Sequence, residues 1–139
     1  MQSPDAIVIG AGIVGASSAL SLTNAGLRVL VIDRGAVSSG TTGAGEGNIL
    51  VSDKDPGPEL TLALRSRDLW FEMQEDVGDS FELEAKGGVV VARRDDAPLM
   101  KLADEQSRHG VAIEKLNHAA LHDLEPYLHQ DIHTGVLYP

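Results

Sequence analysis

Hydrophobic positions in the first part of the chain change period twice. Ala6-Ile7-Val8-Ile9 is an unbroken apolar run rich in β-branched residues, the pattern of a buried parallel strand. It runs into Gly10-Ala11-Gly12-Ile13-Val14-Gly15. From Ile13 to Ala25 small and apolar residues dominate, with Val14, Leu20 and Leu22 among the larger ones. This segment reads as a helix, and Gly26 is placed to end it in the left-handed conformation. Arg28 to Ile32 is a second strand, built on Val29-Leu30-Val31-Ile32 and closed by Asp33-Arg34-Gly35. The three pieces make one βαβ unit in about 30 residues.

The pattern then breaks. Ser38 to Asn48 is too rich in glycine for regular structure and reads as an irregular loop or a frayed helix start. Asp53 to Pro58 is a turn cluster. Glu59 to Val77 has Leu60, Ala63, Leu64, Trp70, Met73 and Val77 spaced for one helical face, with Gly78 as its stop. Gly87-Gly88 followed by Val89 to Ala92 predicts a strand, and Pro98 to His109 predicts a helix ending at Gly110. Val111 to Leu116 reads as a further strand. Asn117 is placed to cap a short helix reaching Leu124, and Thr134 to Tyr138 begin a last strand. No internal repeat or low-complexity tract interrupts this order.

Composition narrows the partners. The chain has 139 residues, 11 of them basic and 21 acidic, for a formal charge of −10. A surface this acidic repels phosphate backbones and anionic lipid, so neither nucleic acid nor membrane is expected as a partner. A nucleotide cofactor is still compatible, because backbone N–H groups can hold its phosphates. There is no cysteine, which excludes disulfides, thiolate metal sites, cysteine nucleophiles and cysteinyl flavin within this chain. The N-terminus lacks the basic patch of a secretory signal, and glycines interrupt the apolar stretch from Ala6 to Val14. A cytoplasmic location is the expectation.

The glycines carry the chemistry. G-x-G-x-x-G alone is weak, but here it follows a strand, opens a helix and precedes an acid at the end of the next strand. Gly10 permits the tight turn, Gly12 lets the backbone approach a pyrophosphate, and Gly15 lets helix and strand pack closely. The helix start offers N–H donors and a positive dipole end to the phosphates. Asp33, 18 residues after Gly15, is placed to accept a hydrogen bond from a ribose hydroxyl, which disfavours a 2′-phosphate and hence NADP. The βαβ fingerprint itself serves FAD and NAD alike. The second glycine- and hydroxyl-rich loop, Ser38 to Asn48, favours the longer, flavin-bearing cofactor.

The runs G-A-G-I-V-G-A-S-S-A-L-S-L, V-L-V-I-D-R-G and S-S-G-T-T-G-A-G-E-G-N resemble the D-amino-acid oxidase-like superfamily of FAD-dependent oxidoreductases, whose members include glycine oxidase and sarcosine oxidase. Gly87 to Ala92, Leu124-Glu125-Pro126 and Gly135 to Pro139 are similar to that family in order and spacing. The likeness covers the whole chain, most closely as far as Ile49. It implies an α/β fold: a Rossmann-like FAD-binding βαβ unit within residues 1–81, followed in residues 82–139 by the start of a β-rich substrate domain. By this resemblance Gly10, Gly12, Ile13, Val14 and Gly15 lie along the FAD pyrophosphate. Asp33, where many relatives carry Glu, binds the adenosine ribose, and Arg34 borders the adenine. Thr41 and Thr42 approach the phosphates, while Gly45, Gly47 and Asn48 approach the ribityl chain or flavin ring. Ala44 stands where some relatives attach flavin through histidine, so a noncovalent FAD is implied. Glu46 departs from the small residue that many relatives have.

The implied reaction is oxidation of the C–N bond of an amino acid or secondary amine by hydride transfer to flavin. The family's substrate-binding residues lie largely in a later part, so no catalytic residue is expected within the chain. An incomplete fold, inactive alone, that self-associates or pairs with a chain supplying its missing half is the corresponding expectation. An NAD-dependent dehydrogenase fragment and an inactive nucleotide-binding chain are the alternatives.

The remaining polar residues point elsewhere less strongly. His118 and His122 are four apart and can share a helix face, a spacing that can bind a metal. Without an H-E-x-x-H pattern or a third-ligand cluster they read as exposed histidines, and no metal site is expected. Asp53/Asp55 and Asp95-Asp96 fit turns better than calcium loops. Trp70 reads as core.

Overall fold

The computed structural model describes residues 3–139, Asp79 by its backbone alone. Two compact units follow one another, the first ending at Asn48 and the second comprising Ile49–Pro139.

In the first unit, strand β1 (Ala6–Ile9) pairs in parallel with β2 (Val29–Ile32), Ala6 opposite Val29 and Ile9 opposite Ile32. Helix α1 (Ile13–Asn24) makes the crossover. Its end is set by sequence. Gly26 is at φ +86°, its N–H donates to Thr23 O, and Leu27 N–H reaches back to Leu22 O. These two bonds are the Schellman pattern, and Leu27 and Leu22 are its apolar pair. At the other end of the unit, the Arg28 guanidinium holds both carboxylate oxygens of Asp5, at 2.9 and 2.7 Å, tying the strand starts together.

The predicted strand pairing and helix are present, but the strands are not buried on both faces. Val8 lies on the face that α1 covers: a Cβ built on Gly15 would come within 3.4 Å of its Cγ1. Ile7, Ile9, Leu30 and Ile32 share the other face by register, and Ile9 is 83% exposed. A parallel pair reads as apolar on both sides because such sheets are covered on both sides, and among the described residues of this unit α1 is the one α-helix.

The second unit is built on a three-stranded antiparallel sheet. Its strands are β3 (Gly88–Ala92), β4 (Glu114–Leu116) and β5 (Thr134–Tyr138), in the order β3-β5-β4. Helices α2 (Pro58–Val77), α3 (Ala97–Arg108) and α4 (His118–Leu124) complete it. Pro58 occupies the first turn of α2, where its missing N–H costs nothing. Leu60, Ala63, Leu64, Trp70 and Met73 are buried or half-buried as the spacing predicts, whereas Val77 is exposed at the helix end. Asn117 caps α4 by accepting the Ala120 N–H at 3.0 Å.

The predicted strand over 111–116 shrinks to three residues. Gly110 N–H donates to Ser107 O and Val111 N–H to Gln106 O, so Val111 belongs to the end of α3 and cannot offer that N–H to a ladder. Its side chain is buried with Val51, Leu60, Ala103, Val136 and Tyr138. At the centre of this core Gln106 is fully buried. Its amide accepts from Tyr138 Oη at 2.7 Å and donates to Lys54 O at 2.7 Å, with Val51 O and Ser52 O each 3.2 Å away.

Candidate dinucleotide site

The turn between β1 and α1 is shaped by its glycines in three different ways. Gly10 is at φ +113°, a conformation that L side chains rarely adopt. A Cβ on Gly15 would lie 1.9 Å from Gly10 O, so only glycine permits the helix to leave the strand this closely. A Cβ on Gly12 would lie 2.8 Å from Thr42 Oγ1, where the second loop closes over the turn.

That closure is specific. Thr42, in the short 3-10 turn Thr41–Ala44, accepts the Ile13 N–H at 3.0 Å through its hydroxyl oxygen. Asp33, at the end of β2, accepts the Ala11 N–H through Oδ2 at 2.7 Å and the Gly35 N–H through Oδ1 at 2.8 Å. The Ala11 N–H, then the Gly35 N–H, hold the Asp33 carboxyl below the usual carboxylate range, with Arg34 adding to the effect and outweighing partial desolvation. Ser38 N–H donates to Ala11 O, which fastens the second loop to the first.

These contacts leave a concave pocket of about 350 Å³ lined by Gly12, Asp33, Arg34, Gly35 and residues 38–42. Five of the sequence-predicted site residues therefore meet there: Gly12, Asp33, Arg34, Thr41 and Thr42. Gly10, Ile13, Val14 and Gly15 form the turn and first helical turn beside it. Gly45, Gly47 and Asn48 follow in the same loop but do not line the pocket.

The expectation of free donors at the start of α1 needs amendment. Ala11 and Ile13 already donate, to Asp33 and Thr42. The other first-turn amides of α1 lack intrahelical partners by construction of any helix, and remain donors for an anion. Sequence reading did not anticipate the Thr42 cap, nor Gly35, Ser38, Ser39 and Gly40 as pocket residues. The only signal for them was the hydroxyl and glycine content of the loop.

The chain as a whole has counterparts among known proteins. Residues 5–139 match the family described as FAD dependent oxidoreductase. The chain belongs to that family. Among curated relatives, the anaerobic glycerol-3-phosphate dehydrogenase subunit A1 of Haloferax volcanii is 28% identical over 99% of this chain and 24% of its own length. The glycine oxidase of Geobacillus kaustophilus is 26% identical over 96% of the chain and 38% of its own. The crystal structure of glycine oxidase from Bacillus cereus superposes with a TM-score of 0.82 at 25% identity, over 99% of this chain and 39% of that one. The chain thus spans between a quarter and two-fifths of the relatives it matches. The α/β fold expected from the sequence, with a Rossmann-like beginning, is the fold of this family's first portion.

Outside the pocket, Trp70 is half-buried and packs on Phe81 with ring centroids 5.6 Å apart, and does not join the core cluster as the sequence reading had it. His118 and His122 are half-buried and in ring contact, not exposed as the sequence reading had them. No helix among the described residues is long and apolar enough to cross a membrane.

Proposed function

We propose that this chain is the dinucleotide-binding first portion of a flavoenzyme that oxidises the C–N bond of an amino acid or secondary amine, with FAD held noncovalently. The observation that carries the reading is the closure of Thr42 and Asp33 around the glycine turn, which leaves a polar pocket at the start of α1.

The residues fit such a cofactor. Gly12 puts no side chain between the backbone and a pyrophosphate, Gly10 and Gly15 let the turn and helix pack closely enough to present it, and Ile13 and Val14 begin the helix that faces it. Thr42 Oγ1 already accepts from Ile13, so its own hydrogen is available to donate to a phosphate oxygen. Thr41 stands beside it. Each Asp33 oxygen has spent one lone pair on a backbone N–H and keeps another for a ribose hydroxyl. Arg34 borders the adenine end, and Gly45, Gly47 and Asn48 continue toward the ribityl chain and flavin ring. The loop from Ser38 to Asn48 holds no histidine, tyrosine or cysteine to attach a flavin covalently.

Bound FAD supplies the two-electron acceptor for hydride removal from the carbon next to nitrogen, and water hydrolyses the resulting imine. In this reading residues 1–81 begin the FAD domain and residues 82–139 begin the substrate domain. The remaining substrate contacts come from a further part of the protein or from a partner chain, the chain alone is inactive, and the setting is the cytoplasm. A second reading, oxidation of an alcohol carbon of a glycerol phosphate, is favoured by the likeness to the Haloferax volcanii subunit.

A visible absorbance scan of the purified chain, followed by FAD titration if it is colourless, tests the cofactor. Saturable binding lost in Gly12→Val supports the assignment, and binding of NAD but not FAD overturns it. Bleaching of flavin in the full reading frame by amines, against bleaching by glycerol 3-phosphate, separates the two substrate readings.

A further inference from the structure

Three of the five histidines gather in the second unit, which does not contain the glycine turn. His118 and His122 lie one turn apart on α4 with ring centroids 4.3 Å apart. His133, just before β5, brings its ring centroid to 5.0 Å from that of His118. The ring planes are tilted by 34° and 33° in these two contacts.

One of these rings has its hydrogen placed by a neighbour. His122 Nε2 lies 3.0 Å from Ile132 O. A carbonyl oxygen can only accept, so Nε2 carries the hydrogen, and in the neutral ring Nδ1 is an unprotonated lone pair. That Nδ1 is buried and has no hydrogen-bond partner among the described residues. Buried polar atoms are nearly always satisfied, and an exception calls for a reason. Anchoring one ring nitrogen on a backbone carbonyl while presenting the other lone pair is how metal-ligating histidines are oriented.

We propose that His118, His122 and His133 bind a borderline divalent transition cation of the zinc, copper and nickel class, with His122 Nδ1 as the pre-oriented ligand. Neutral imidazoles suit these ions, whereas calcium and magnesium require oxygen donors. Among the described residues no three such side chains are already gathered around one point. The cation therefore draws His118 and His133 inward by rotation of their side chains, which are half-buried and exposed respectively. Binding staples α4 to the segment that leads into β5. The site does not depend on the dinucleotide reading, since none of its residues belongs to the first unit.

Calorimetric titration of the purified 139-residue chain with zinc chloride near neutral pH tests the proposal. One saturable site is expected, with a melting temperature that rises with zinc. His118→Gln and His133→Gln each weaken binding by roughly tenfold or more. His129→Gln, whose ring is engaged by Asp131 at 2.6 Å, leaves it unchanged. Absence of a saturable site, or equal weakening by His129→Gln, overturns the proposal. Imidazole proton resonances of the unmutated chain give a second test that no folding defect can confuse. Zinc is expected to shift those of His118, His122 and His133, and shifts confined to His109 and His129 overturn the assignment.

Discussion

The hydroxyl oxygen of Thr42 accepts the N–H of Ile13 at 3.0 Å and stands 2.8 Å from where a Cβ on Gly12 would be. A residue from the second loop thereby caps the helix that the first loop opens. The cap and the glycine are one device, since a side chain at position 12 would push the hydroxyl off the helix end.

Removing the hydroxyl separates these roles. Thr42→Val keeps the shape but leaves Ile13 N–H without its cap, at a cost of about 1 kcal/mol in stability. It also removes the hydroxyl hydrogen proposed for a phosphate oxygen, so FAD affinity falls, while Thr42→Ser restores both. Urea melts and flavin fluorescence titrations of the two variants check this. Equal affinity in the Val and Ser variants would remove Thr42 from the site.

Gly15→Ala tests packing and not ligand contact. Its Cβ would lie 1.9 Å from Gly10 O and 3.4 Å from Val8 Cγ1. Backbone cannot rotate aside as a side chain does, so the cost lies toward the upper end of the ~1–3 kcal/mol typical of overpacking. The loss shows in denaturant melts without any cofactor present. A variant as stable as the parent would mean that the turn is looser than drawn.

Asp33 makes the first unit sensitive to acid. The Ala11 and Gly35 N–H groups, in that order, lower its folded-state pKa below the unfolded value. A depressed carboxylate contributes stability that is fully present above the unfolded pKa. That contribution is lost as pH falls through the folded one. Stability of the unit should therefore decline below about pH 4, and Asp33→Asn should flatten that decline while weakening FAD binding at neutral pH. Circular dichroism melts across this range measure the first effect. A pH profile unchanged in the Asn variant would count against the bonds.

The first unit was the more legible part of the sequence because its signals are local. Val29-Leu30-Val31-Ile32 gives a strand wherever it finds a partner, and the helix end at Gly26 is written in one residue and its left-handed φ. Thr42 was named as a phosphate neighbour only through resemblance. Its bond to Ile13 spans 29 positions, and no periodicity carries that information. Exposure of Ile9 was misread for a related reason: a strand's pattern records the cover it is built for, not the cover present within one unit. The same limit hid the histidines. A spacing of four placed His118 and His122 on one face, but the approach of His133 depends on how the chain returns to β5.

Gln106 offers the clearest test of the second unit. It is fully buried, accepts from Tyr138 Oη at 2.7 Å and donates to Lys54 O at 2.7 Å. Gln106→Leu fills similar volume but leaves the buried Tyr138 hydroxyl and the part-buried Lys54 carbonyl without their partner, so a loss of roughly 1–3 kcal/mol is expected. Tyr138→Phe removes one bond and leaves the amide oxygen unpaired, for about 1–2 kcal/mol. In the double variant the stranded hydroxyl is gone, so the combined loss should be smaller than the sum of the singles by about 1 kcal/mol. Urea denaturation of all four proteins closes this cycle. Burial also raises the Tyr138 pKa, so its ionisation in the ultraviolet should begin above the range of a free tyrosine in the parent. In Gln106→Leu, which surrounds the hydroxyl with apolar atoms, it should stay above that range. Strict additivity of the two substitutions would show that the amide and the phenol are neighbours without being partners.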